Sequence, residues 1–206
     1  LTLALVHADD ALLVADKPAG MLCVPGRGAD KQDCLATRVQ AVFPDALVVH
    51  RLDMATSGLV LFARGHAAQR QLGMAFARRE VHKRYIAVVH GRLRPEQGEI
   101  DLPLIADWPN RPRQKVDRAH GKPSLTRYRV LACDGAADTT RVELEPVTGR
   151  SHQLRVHLLA VGHPIVGDAL YAPNDEGSRL LLHACVLRLV HPISGDVRQW
   201  CSEAPF

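Results

Sequence analysis

The sequence predicts an α+β fold: a mixed, mostly antiparallel sheet with flanking helices. Two observations carry this. Short apolar runs recur on either side of turn-forming residues, as consecutive strands require, and between them lie stretches whose apolar residues repeat at helical spacing. With 206 residues, 47% of them hydrophobic, the chain can bury a substantial core and is too apolar to be disordered. No linker or internal repeat divides it, so residues 1–206 are expected to form one domain.

Taken in order, apolar runs at 3–6 and 11–15 flank Asp9 and Asp10 and read as a hairpin. The stretch from Lys17 to Gly20 breaks that pattern and suggests no chemistry by itself. Leu35, Val39 and Val42 recur at helical spacing, with Asp33 as the expected N-cap and Pro44 beyond the end. Ala68, Leu72, Ala75 and Phe76 form one stripe of an amphipathic helix, whose other face carries Arg70, Arg78 and Arg79. Residues 83–89 read as a strand with Lys83, Tyr85, Ala87 and Val89 on one side and Arg84, Ile86 and Val88 on the other.

Between 101 and 122 periodicity disappears. Arg111, Arg113, Lys115, Arg118 and Lys122 accumulate there among prolines and Trp108, which predicts a basic loop. Residues 128–132 and 140–146 read as a strand pair around the turn DGAAD. Leu154, Leu158 and Val161 mark the apolar face of a helix closed by Gly162 and Pro164. Two strands, 180–189 and 197–201, follow around the turn HPISGD.

The stretch that organises the chain is 46–64, ALVVHRLDMATSGLVLFAR. Leu47 to Val49 and Leu59 to Ala63 are two apolar strands, and Asp53 sits between them. Thr56, Ser57 and Gly58 supply turn chemistry, and Gly58 is free to take a positive φ. An acid held at the edge of a rigid sheet is well placed for function. On residue type alone, an Arg two positions before an Asp is more commonly part of a solvated loop or a structural ion pair.

Composition narrows the partners. An excess of 26 Lys and Arg over 22 Asp and Glu gives +4 and suits an anionic partner without requiring one. Five cysteines, Cys23, Cys34, Cys133, Cys185 and Cys201, include no CxxC pair, which favours reduced thiols over a disulfide framework or zinc ribbon. His152 and His157 are off the i,i+4 spacing of a helical metal pair and have no acidic third ligand nearby, so no metal site is expected. No segment approaches the roughly 20 apolar residues of a membrane span, and the N-terminus lacks a basic signal-peptide region. The lack of an initial Met suggests that a few residues precede Leu1.

HRLD followed by a TSGL turn resembles the signature segment of the RluA family of pseudouridine synthases, in which the aspartate is essential for catalysis. Further segments match that family in order: KRYIA (83–87), GKPSLT (121–126), TGRSHQLRVH (148–157) and LLLHA (180–184). DKPAGMLCVPG is similar to the family's N-terminal motif, whose role there is mainly structural. DWPNRPRQKV (107–116) is most similar to the small branch that modifies both large-subunit ribosomal RNA and transfer RNA.

The resemblance implies the pseudouridine synthase catalytic fold with its active site in a central cleft, no N-terminal RNA-binding module, and a cytoplasmic monomer that acts on RNA stem-loops. It implies Asp53 as the catalytic acid, with Arg155 of the HQLR motif as its ionic partner and Tyr85 beneath the target base. Arg51 would fill the gap left by the flipped nucleotide. His50, Arg150, His152, Gln153, Arg111, Arg113 and Lys115 would contact the RNA.

The chemistry breaks the N1–C1′ glycosidic bond, rotates the uracil and joins C5 to C1′, so it needs no cofactor. It does need a carboxylate, which either attacks C1′ or removes a C2′ proton. An adjacent guanidinium would offset the desolvation that tends to protonate a pocketed acid. Two rival classes remain: a non-catalytic RNA-binding module, which has no use for Asp53, and a small-substrate hydrolase pairing the acid with His50.

Overall fold

The computed structural model describes residues 3–172 and 179–206. In chain order it contains β1 (Leu5–Ala8), β2 (Leu12–Lys17), α1 (Leu35–Val42), β3 (Ala46–Val48), β4 (Ser57–Arg64), α2 (Gly65–Ala77) and β5 (His82–His90). Next come β6 (Gln97–Asp101), β7 (Leu104–Ala106), β8 (Gln114–Val116), β9 (Leu125–Asp134) and β10 (Thr139–Pro146). The chain continues through α3 (Gln153–Ala160), β11 (Leu182–Val190) and β12 (Val197–Cys201). Two compact units result, Leu1–Lys83 with Ala184–Pro205, and Arg84–His183 with Phe206. The α+β class read from the sequence is the observed one.

In the first unit the strands run β1–β2–β4–β11, with β12 paired to β11 and β3 to β4. The pairs β1–β2, β2–β4, β3–β4 and β11–β12 are antiparallel. The expected first hairpin forms because Asp9 Oδ1 accepts from the N–H groups of Ala11 and Leu12, closing its turn. β4 is buried from Ser57 through Ala63. Such continuous burial marks a strand covered on both faces, and its unbroken apolar run reflects that. Ala68 and Leu72 of α2 pack on Leu12, Val14, Leu61, Ala63 and Leu187, as the apolar stripe predicts.

The first helix departs from expectation in two details. Its N-cap is Cys34, whose Sγ accepts from Thr37 N–H while Thr37 Oγ1 accepts from Cys34 N–H, a reciprocal capping box. Asp33 instead lies outside the helix and takes Arg38 in a two-point ion pair at 2.7 and 2.6 Å. Val42 is exposed rather than on the buried face.

In the second unit β5–β10–β9–β6 form an antiparallel sheet. Tyr85, Ala87 and Val89 point to its buried side, in the alternation read from the sequence. The stretch 101–122 is not all loop, because β7 and β8 pair through Ile105 and Lys115 into a separate two-stranded sheet. Strands of three residues are too short to show a period.

α3 is also not amphipathic. Gln153 through Leu158 are all buried, polar residues included, while Val161 is exposed. No helix among the described residues is long and apolar enough to cross a membrane. None of the five cysteines forms a disulfide.

Candidate active site

Asp53 occupies the turn that leads into β4, half-buried, with its carbonyl accepting from Thr56 N–H at 3.1 Å. The turn is tied down at its far end by Gly58. That residue has φ +110°, and a Cβ added to it would lie 2.3 Å from the Ala184 carbonyl oxygen of β11. Only glycine allows this approach, so the turn chemistry expected at Gly58 is present and is also a packing requirement.

One residue that sequence reasoning missed is Lys17. It is fully buried at the end of β2, and its Nζ donates to the carbonyls of Pro18 (2.9 Å), Met21 (2.8 Å) and Met54 (3.0 Å). The three donors of an ammonium are thereby matched by three acceptors. The Met54 carbonyl also receives Gly20 N–H at 2.9 Å, so the residue after Asp53 is held from two points of the 17–20 segment. Burial lowers the Lys17 pKa to about 8, against the opposing pull of Cys23 and Asp53. Burial in turn raises the Cys23 thiol. The segment given no chemistry in the sequence therefore supplies a buried cation that interacts with Asp53. A lysine before a proline carries no periodic signal, and lysines are almost never fully buried.

Arg51 is exposed beside this turn. His50 is placed otherwise. Its ring stacks on Phe76 at 4.7 Å, and Nε2 accepts from Leu61 N–H at 2.9 Å, which puts the ring proton on Nδ1. Burial, followed by the nearby Lys83 charge, holds its pKa at about 3. This histidine is a neutral strut on β4.

The second unit places the remaining residues. Tyr85 is buried on β5, opposite Leu144 of β10. Arg155 is buried on α3 and makes a two-point ion pair with Asp168, Nε to Oδ2 and Nη2 to Oδ1, each 2.7 Å. Its guanidinium also lies 5.1 Å from the centre of the Tyr171 ring. Asp168 and Tyr171 were not read from the sequence, since a Gly-Asp pair after a helix looks like an ordinary turn.

Tyr171 joins two of the expected RNA ligands, His152 and Arg113, in one network. Its hydroxyl pairs with His152 Nδ1 at 2.8 Å and accepts from Gln114 N–H at 2.8 Å. Arg113 is half-buried, lies 5.7 Å from the same ring and donates Nη2 to the Leu170 carbonyl. Arg113 thus departs from the expected free basic loop, because the hairpin folds its side chain inward.

Gln153 has a structural position too. Its Oε1 accepts from Thr148 Oγ1 (2.7 Å) and Arg150 N–H (3.0 Å), and its Nε2 donates to the Leu125 carbonyl (2.9 Å) and Thr126 Oγ1 (3.0 Å). All four bonding positions of the amide are used, which fixes the start of α3 and leaves none for RNA. Both ring nitrogens of the buried His157 are likewise engaged, by Thr126 Oγ1 and the Leu102 carbonyl. Arg150, Arg111 and Lys115 are exposed, and Arg150 Nε reaches the Pro123 carbonyl at 3.4 Å.

A sequence profile described as RNA pseudouridylate synthase matches residues 11–160. The chain is 50% identical to the dual-specificity RNA pseudouridine synthase RluA of Escherichia coli K12, over 99% of this chain and 94% of that protein. It is also 50% identical to the protein of the same name from Yersinia pestis, over 98% of each. Among solved structures it is similar to human RNA pseudouridylate synthase domain containing 1, with a TM-score of 0.82 and 31% identity, covering 100% of this chain and 84% of that one. The human domain containing 4 protein, at TM-score 0.79 and 24% identity over 98% and 88% of the chains, shares the fold. A carboxylate turn braced by a buried ammonium, a buried strand tyrosine and a clamped helix arginine therefore sit in a chain that belongs to the RNA pseudouridylate synthase family.

Proposed function

We propose that this protein isomerises uridine to pseudouridine in structured RNA and accepts two substrate classes, a large-subunit ribosomal hairpin and a transfer RNA anticodon stem-loop. The observation that carries the reading is the near-full-length 50% identity to enzymes whose name states dual specificity. In this reading Asp53 supplies the carboxylate, acting at C1′ or at the C2′ proton. Tyr85 stacks on the extruded uracil, and Arg155 contributes the guanidinium of the catalytic set. The N1–C1′ bond breaks, C5 bonds to C1′, the C5 proton is lost and N1 gains one, so the product is an isomer. Arg51 fills the gap in the RNA, because a stacked base is out of reach until it is flipped. The whole chain acts as one catalytic domain.

The small-substrate hydrolase has a specific obstacle. The lone pair of His50 Nε2 is occupied by Leu61 N–H, and a pKa of about 3 leaves the ring too weak a base at neutral pH.

The deciding experiment incubates the protein with each stem-loop alone and assays for pseudouridine, using wild type and Asp53→Asn. Wild type is expected to modify both RNAs. Asp53→Asn is expected to bind them and form no product. Turnover of only one RNA removes dual specificity, and substantial turnover by Asp53→Asn removes Asp53 from the mechanism.

A further inference from the structure

The tip of the β7–β8 hairpin presents Trp108 at 65% exposure. The Arg111 guanidinium lies 3.9 Å from the centre of the indole ring and covers one face. A large aromatic covered on one side and still so exposed has its other face toward solvent. Leaving that surface wet forgoes the stabilisation that burial would give, and nothing in the hairpin's own packing requires it.

The tip is rigidly built. Trp108–Asn110 form a 3-10 turn with Pro109 in it. Asn110 N–H donates to the Asp107 carbonyl at 3.0 Å, Asn110 Nδ2 donates to Asp107 Oδ2 at 2.9 Å, and Asp107 N–H donates to the Arg113 carbonyl at 2.9 Å. The base of the hairpin is pinned by Arg113 on Leu170 and by Gln114 N–H on the Tyr171 hydroxyl. The ring is therefore presented in advance rather than ordered on contact.

The surroundings are cationic. Arg111, Lys115, Arg118 and Lys122 are exposed, whereas the acids of the same stretch are engaged locally, Asp107 by Asn110 and Asp117 by the N–H groups of Ala119 and His120. An open π-face among cations suits a planar group carried on a polyanion. Within a duplex the base faces are already stacked, so an unpaired base is the matching partner.

We propose that the open face of Trp108, backed by Arg111, is a stacking platform for one unpaired base of the RNA, other than the uridine that reacts. The proposal rests on the RNA-modifying function above and deepens it. Wild type, Trp108→Ala and Trp108→Phe, each checked for folding by circular dichroism and thermal melting, are titrated with a stem-loop and with a fully paired duplex of equal length. Trp108→Ala should weaken stem-loop binding by about 5- to 150-fold, the range for loss of one stacked base, and Trp108→Phe by much less. Duplex affinity should not change. With 2-aminopurine placed at each loop position in turn, one position other than the target should be quenched by wild type and not by Trp108→Ala.

Unchanged stem-loop affinity in Trp108→Ala overturns the platform, as does equal weakening toward stem-loop and duplex. The pseudouridine assay is read separately. If wild type forms no product in any RNA, the isomerase reading fails, while Trp108-dependent quenching still stands or falls by itself.

Discussion

Arg155 and Asp168 share two parallel hydrogen bonds of 2.7 Å, with side chains only 5% and 0% exposed. Asp168 Oδ1 also accepts from the N–H groups of Leu170 and Tyr171 at 3.0 and 3.1 Å, so the carboxylate is fixed by backbone before it orients the guanidinium. Such a fork sets direction as well as charge. Asp168→Asn should leave a buried guanidinium undercompensated and destabilise the protein by about 3 to 5 kcal/mol, with loss of activity. The double variant Arg155→Met, Asp168→Leu should recover most of the stability and none of the activity. Urea melts of wild type, Arg155→Met, Asp168→Leu and the double variant close this cycle, and simple additivity would refute the coupling.

Lys17 gives a pH prediction with opposite signs for activity and stability. Its ammonium serves three carbonyls, Met54 among them, and a neutral amine has only two N–H groups. Activity should fall as pH rises through about 8, when the support next to Asp53 loses a bond. Stability moves the other way. The folded pKa lies below the free value of 10.5, so between about 8 and 10.5 the unfolded chain holds the extra proton and the Lys17 contribution to stability rises with pH. Activity profiles and urea titrations of wild type against Lys17→Met isolate this contribution. Activity and stability falling together through that window would contradict it.

His50 should make the protein acid-sensitive. The folded ring titrates near 3 and the free one at 6.5, so between those values the unfolded chain binds one more proton, and stability is lost as pH falls. The slope approaches about 1.4 kcal/mol per pH unit well below 6.5. His50→Gln keeps an acceptor for Leu61 N–H and cannot titrate. Its stability measured at pH 7 and pH 5 should change less than that of wild type.

Gly58→Ala should be among the most damaging single-methyl changes. The added carbon would meet the Ala184 carbonyl oxygen at 2.3 Å and its nitrogen at 2.6 Å, and backbone cannot move aside as a side chain can. A φ of +110° adds strain for any other residue. A loss of more than about 3 kcal/mol, or failure to fold, is expected by chemical denaturation. A near-normal midpoint would mean that β4 and β11 separate readily at this point.

The sequence by itself determined what depends on neighbours along the chain. The Asp9 turn, the α2 stripe, the alternation of β5 around Tyr85, and the Asp53 turn between apolar runs all follow from local turn chemistry and period. The tertiary structure alone decided what depends on partners far away in sequence. Lys17 is a buried cation because the carbonyl of Met54, 37 residues on, reaches it. α3 buries Gln153, Arg155 and His157 because Leu125, Thr126, Leu102 and Asp168 satisfy their polar atoms. A polar side chain looks the same in sequence whether water or protein will bond it, and only the fold supplies the bonds that make its burial affordable.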